Sequence, residues 1–294
     1  MLVKLVKLLI GGSGKLERVP LICIITGGYG GYALLSEIYE HVKHDIPKVF
    51  KKSYEYLGRG QLNLPLPEDS TSYRYVMDLA EKCHLNPTVF QTVHYTKTEE
   101  ERAEYFEMRI HSPLQLEGTD AGDYGTQYSG GCPYCGLGGK PIGDVFVDRK
   151  FIKKYSIGTL YPDIFVTEPI KNLILENNLT GVSFECEVKD YKGREMPKNF
   201  VMNIHNVLPT MSDCAWLIKN PHIDKRYEKC GHQVVYHRSD AQYEREKLSA
   251  ALDFNLSHEY VDNFRLQVII VSARVRNLFK KNKIQAVFFP VTIL

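Results

Sequence analysis

The sequence predicts an α+β protein of two domains, the second built from two related β-α-β units around a zinc knuckle. Three observations point there. A chain of 294 residues has the length of about two domains of roughly 150 residues each. A segment near its middle, Cys132-Pro133-Tyr134-Cys135-Gly136, has the thiol spacing and trailing glycine of a metal-gripping turn. The third is an internal repeat in the second half. The N-terminal α+β domain is expected over residues 1–115, and nothing in its sequence specifies a role. The zinc-knuckle domain is expected over residues 116–294.

Elements follow from apolar periodicity and breakers. Residues 1–26 read as a hairpin, with the turn Gly11-Gly12-Ser13-Gly14 ahead of the apolar run Val19 to Ile25. After Gly27-Gly28-Tyr29-Gly30-Gly31, the residues Ala33, Leu34, Ile38 and Val42 share one side of a helix. Pro47, Gly58, Gly60, Pro65 and Pro67 mark residues 46–71 as mostly loop. A helix is predicted over 72–83, where Tyr75, Val76, Leu79 and Cys83 recur at helical spacing, with Asn86-Pro87 to stop it. Val89 to Tyr95 reads as a strand, and Thr96-x-x-Glu99 is a capping box that starts a short helix. Phe106, Met108 and Ile110 alternate with Glu107, Arg109 and His111, as in a half-buried strand. A Gly-rich loop over 117–131 then delivers the chain to Cys132.

The repeat aligns Ile164–Phe184 with Ile269–Phe289 without a gap, at a constant offset of 105 residues. Seven pairs are identical: Ile164/Ile269, Val166/Val271, Asn172/Asn277, Leu173/Leu278, Asn177/Asn282, Val182/Val287 and Phe184/Phe289. Each copy, over 164–188 and 269–293, reads as strand, capped helix, strand. Thr167 and Ser272 are the expected N-cap oxygens. Pro169 fits a first turn, where its missing N–H costs little. Asn177 and Asn282 stand where a residue tolerant of the left-handed conformation ends a helix.

Composition excludes several classes. Net charge is +2, from 37 basic and 35 acidic side chains, which argues against a large nucleic-acid footprint. No stretch approaches the roughly 18–20 apolar residues of a membrane helix. Lys4 and Lys7 interrupt the apolar start of the chain, so a first strand is expected there rather than the h-region of an export signal. A cytoplasmic location is expected. There, seven scattered cysteines favour free thiols with a metal site over a disulfide framework.

A structural zinc ion takes four ligands. Cys132 and Cys135 supply two. The best distant candidate is Lys229-Cys230-Gly231-His232, where Cys230 again precedes a glycine. A second intact knuckle would need a cysteine at 227, and Tyr227 stands there. The expected set is therefore Cys132, Cys135, Cys230 and His232, with His237 and Cys214 in reserve. A redox dithiol is the competing reading of C-x-x-C. It fits less well, because Gly136-Leu137-Gly138-Gly139 cannot easily start a helix. No acid–base pair or nucleophile elbow is visible, so no catalytic residue is assigned. The Gly27–Gly31 loop between strand and helix is where a phosphate could be cradled. Its spacing matches neither the dinucleotide fingerprint nor a P-loop.

With Cys132-x-x-Cys135-Gly136, the degenerate Tyr227-x-x-Cys230-Gly231 and the strand–Ser/Thr–helix–Leu-Thr-Gly-Val-x-Phe unit, the chain resembles the double-CXXCG motif family over about residues 105–294. These are bacterial proteins best known from myxobacteria. Some are immunity proteins that neutralise a toxin exchanged between neighbouring cells. The resemblance implies a cytoplasmic, non-enzymatic protein with a knuckle-type zinc site and a cognate toxin as partner. Two departures stand against it: the missing cysteine at 227, and residues 1–100, which match nothing in the family. The alternative expectation is an enzyme that binds a nucleotide or phosphate at Gly27–Gly31.

Overall fold

The computed structural model describes residues 18–25, 29–46, 61–66, 70–83, 88–93, 95, 97–110, 124–152, 155–160, 163–212, 217–219, 229–230, 232, 234–237, 240–261 and 266–294. They form an α+β protein whose chain divides into two compact units, with the main division between Arg102 and Ala103.

The first unit is a three-stranded antiparallel sheet with helices. β1 (Arg18–Ile25) is central, flanked by β2 (Gln61–Pro65) and β3 (Thr88–Val93). α1 (Tyr29–Val42) and α2 (Thr71–Lys82) supply Leu35, Ile38, Val42 and Val76 to a core closed by Leu62, Leu64 and Leu66 of the β2 segment. Ser70 caps α2 by accepting the Tyr73 N–H at 3.0 Å. β2 lies inside the stretch expected to be loop. The alternation Leu62, Leu64, Leu66 is a strand pattern, and Pro65 is tolerated because it ends the strand. The hairpin partner expected before Gly11 and the helix stop at Asn86-Pro87 lie outside the described residues. The short helix α3 (Lys97–Arg102) forms where the capping box places it.

In the second unit the chain runs β4 (Tyr105–Ile110), β5 (Tyr128–Ser129), β6 (Lys140–Pro141), β7 (Val145–Val147), α4 (Arg149–Ile152), β8 (Ile157–Leu160), β9 (Asp163–Thr167), α5 (Glu168–Glu176), β10 (Val182–Ser183), β11 (Glu187–Asp190), β12 (Asn199–Val201) and β13 (Asn203–Ile204). It continues β14 (Leu217–Lys219), β15 (Val234–His237), β16 (Gln242–Tyr243), β17 (Phe254–Val261), β18 (Leu266–Ser272), α6 (Ala273–Lys281), β19 (Ala286–Pro290) and β20 (Thr292–Ile293). The larger sheets have the orders β14-β15-β17-β18-β4-β19 and β7-β11-β12-β9-β8.

The repeat is visible at the level of single hydrogen bonds. α5 and α6 end in the same Schellman motif. Leu179 N–H reaches Ile174 C=O and Asn178 N–H reaches Leu175 C=O; 105 residues on, Ile284 reaches Phe279 and Lys283 reaches Lys280. The left-handed residue falls one place later than expected, at Asn178 (φ 51°) and Lys283 (φ 54°). Asn177 and Asn282 instead cap with their side chains, donating to Leu173 and Leu278 C=O at 2.8 and 2.9 Å. The N-caps differ. Ser272 accepts the Val275 N–H, whereas Thr167 makes no side-chain cap bond in a first turn from which Pro169 has removed one donor.

Each copy splits its β-α-β around a middle strand. The β12–β13 segment pairs with β9 and with β10, while β4 pairs with β18 and with β19. Thus β4 is the centre of the second copy, which corrects the boundary expected at 115/116. The alternating pattern of 106–111 identifies a strand but not its partners. Both copies share one core, in which Ile170 and Ile174 of α5 meet Val275 and Phe279 of α6, with Phe106, Phe254 and Phe288. Phe279 packs at an angle on Phe254 and edge-on to Phe288, with ring centroids 6.2 and 6.3 Å apart. Glu107, expected on a solvent face, is buried, because Tyr243, Leu208, Met211 and Leu248 form a second core that also holds Tyr105 and Ile270, its neighbours on that face.

Asp253 ties the copies together. It accepts hydrogen bonds from Thr180 N–H and Oγ1 of the first copy (3.0 and 3.1 Å) and from Ser272 Oγ and Arg274 Nη1 of the second (2.6 and 3.0 Å). The turn beside it needs glycine. At Gly181 φ is +93°, and a Cβ would stand 2.1 Å from Phe254 O. Gly181→Ala is expected to cost at least about 2 kcal/mol in urea unfolding. Gly193→Ala, at φ +68° with nothing within 4 Å of the added carbon, is expected to cost only about 1 kcal/mol.

A second polar hub closes β7 onto β11. The Asp190 carboxylate is buried and receives the N–H groups of Arg149, Lys192 and Arg194 and a bidentate grip from the Arg194 guanidinium, both contacts at 2.7 Å. Arg194 holds its carboxyl far below the usual carboxylate range, against the opposing effect of burial. A depressed folded-state value stabilises above the unfolded value of about 4 and is lost as pH falls below it. The urea midpoint of the wild type should fall between about pH 4 and pH 2, and Asp190→Asn should flatten that fall.

Candidate metal centre

Two distant stretches of the second unit build the site. β5 and β6 pair Tyr128 with Pro141 and Ser129 with Lys140, and the turn between them carries Cys132 and Cys135. Cys132 N–H donates to Leu137 C=O and Gly136 N–H to Cys132 C=O, both at 2.8 Å. Gly136, at φ +76°, makes the left-handed bend that reverses the chain. Cys230 and His232 lie just before β15, which runs parallel to β17 with Val234 opposite Tyr260.

The ligand atoms of Cys132, Cys135, Cys230 and His232 all lie within 4.8 Å of one another, and all four residues are half-buried. Cys135 Sγ is 3.1 Å from His232 Nδ1 and 3.5 Å from Cys230 Sγ. Tetrahedral zinc with metal–sulfur bonds of about 2.3 Å sets its sulfurs about 3.8 Å apart, so the donor set has the size of one ion. None of the three sulfurs is in a disulfide. Local amides pull the Cys132 thiol below its ordinary value, whereas burial pushes Cys135 up to about 11. A dication would turn both into thiolates.

The structure thus brings together all four residues singled out by spacing. Among the described residues no Asp or Glu joins this ligand group, and a set of four protein ligands leaves no open position. Such a set can hold an ion, but does not offer the water-bearing position of a catalytic one. Cys214 and Tyr227 lie outside the described residues. Of the Gly27–Gly31 loop, Gly30 and Gly31 fall in the first turn of α1, while Gly27 and Gly28 lie outside the described residues. Tyr260 was not legible as part of the site. Its ring meets His232 edge-on at a centroid distance of 5.4 Å, and only strand register brings it there.

In comparisons with known proteins, no family model matches the chain and no curated protein matches it. No described helix is long and apolar enough to cross a membrane.

Protein purified from zinc-supplemented cells should carry about one metal ion per chain, and a chelator should lower its melting temperature, because ligand binding to the folded state alone stabilises it. Cys135→Ser should abolish both effects. Less than about a tenth of an ion per chain would contradict the assignment.

Proposed function

We propose that this chain is a non-enzymatic binding protein of the immunity type, which holds a structural zinc ion at Cys132, Cys135, Cys230 and His232 and neutralises a cognate toxin by binding it. The observation that supports this reading best is the closed four-ligand cluster. Three thiolates and an imidazole suit zinc over harder, oxygen-seeking dications. The ion would clasp the β5–β6 turn to the segment before β15, ligands 95 residues apart at Cys135 and Cys230, and so stiffen the surface between them. Tyr134, at the tip of the turn, is 53 % exposed. A rigid tyrosine held out from a metal-fixed turn is a favourable contact for a protein partner, since it covers area at low entropic cost. The toxin as partner rests on the family resemblance of residues 105–294. Near-neutral net charge fits a protein partner better than nucleic acid.

Stoichiometry separates binding from turnover. If a toxin is encoded beside this chain, co-expression should restore growth, and the purified pair should co-elute as a complex of fixed ratio. Protection should reach completion only near molar equivalence. Complete protection by a small fraction of an equivalent would mean turnover and would contradict the non-enzymatic reading, and no toxic neighbour relieved by this chain would contradict the immunity reading.

A further inference from the structure

The four-residue cluster holds a second kind of bond within reach. Cys135 Sγ touches both ligands of the other segment, His232 Nδ1 at 3.1 Å and Cys230 Sγ at 3.5 Å. A disulfide joins two sulfurs at about 2.05 Å, so the Cys135–Cys230 contact is about 1.5 Å of side-chain movement from that bond. The cluster cysteines are all half-buried, and none is in a disulfide. Oxidation of a sulfur follows its thiolate character and its access, and half-buried sulfurs gathered around a dication have both.

The choice of pair decides what oxidation does to the fold. A Cys132–Cys135 bond would close a ring inside one turn. That turn is already closed by two hydrogen bonds of 2.8 Å, from Gly136 N–H to Cys132 C=O and from Cys132 N–H to Leu137 C=O. Such a bond would tie the knuckle to nothing else. A Cys135–Cys230 bond spans 95 residues and joins the β5–β6 turn to the segment before β15. These are the two pieces of chain that a shared ion would clasp. A cross-link restricts the unfolded chain more as the loop it closes grows longer.

We propose that Cys135 and Cys230 are a redox pair, which a peroxide converts to a disulfide that displaces the ion and takes over its role as clasp. This rests on the reading of the four-residue cluster as a metal site. One thiolate attacks a peroxide oxygen, so that an S–O bond forms and the O–O bond breaks. The departing hydroxide takes a proton and leaves as water. The other thiolate attacks that sulfur, the S–S bond forms, and a second hydroxide leaves and is protonated to water. The two sulfurs give up two electrons, and the peroxide takes them. Cys132 and His232 are then the remaining ligands, two of four, and the ion is no longer held.

The test uses the full chain, reduced and loaded with zinc. Hydrogen peroxide is added, released zinc is read with a chromophoric chelator, and the linkage is mapped by digestion without reduction and mass spectrometry. About one zinc ion per chain should be released as the peptides of Cys135 and Cys230 become joined, and dithiothreitol with zinc should restore the loaded form. The oxidised, metal-free protein should melt above reduced protein stripped by a chelator, because its clasp is still closed. Zinc retained while the exposed Cys83 oxidises overturns the proposal. So does zinc release with Cys132 joined to either partner, release with sulfinic acids and no disulfide, or an oxidised form that melts no higher than the stripped one. A protein that carries no zinc before the oxidant is added overturns the metal reading itself, and this inference with it.

Discussion

Three sulfurs and an imidazole nitrogen within 4.8 Å of one another are a costly arrangement for a protein to hold by itself. As thiols they are weak hydrogen-bonding partners, and as thiolates they repel. A dication reverses that balance, and it does so for two pieces of chain that no strand pair among the described residues joins. Among the described residues, the knuckle turn rests on a hairpin with just two paired residues on each side, and β15 pairs with β17 through two. Neither contact is extensive, and a shared ion would supply the cross-link that short strands do not.

The rest of the second unit depends on the two copies burying each other's faces. A nine-residue amphipathic helix such as α5 or α6 does not persist alone in water. Their apolar sides meet in one core, and Asp253, just before β17, accepts hydrogen bonds from the turn of the first copy and from Ser272 and Arg274 of the second. The symmetry is broken at this contact. Gly181 lies where the Phe254 carbonyl approaches too closely for any side chain, whereas its counterpart 105 residues on is Ala286, which pairs with Ile110.

Much of this was legible because it was local. Helix ends, caps and the offset of 105 residues are written in neighbouring side chains, and the metal ligands were marked by C-x-x-C-G and by a second Cys-Gly. Long-range pairing was not. Nothing in Tyr105–Ile110 says that the strand inserts between β18 and β19, so the boundary was placed too late. Prolines masked the Leu62–Leu64–Leu66 alternation of β2. Tyr260 carries no motif, and only the register of β15 on β17 brings its ring beside His232. The left-handed cap fell one residue late because both Asn178 and Lys283 adopt a conformation that side-chain type alone does not announce.

The provenance of β4 has a consequence for how the chain reaches its native state. On the ribosome this strand emerges ahead of the other strands and helices of the second unit, yet its hydrogen-bonding partners β18 and β19 lie near that unit's far end. Until then both of its edges stay open, and so does the apolar face of Phe106 and Met108. Pairing of such sequence separation is slow, and open strand edges of this kind are where aggregation starts. For most of its synthesis the second unit must remain incomplete, waiting for its carboxyl-terminal strands to close around a strand made at its beginning.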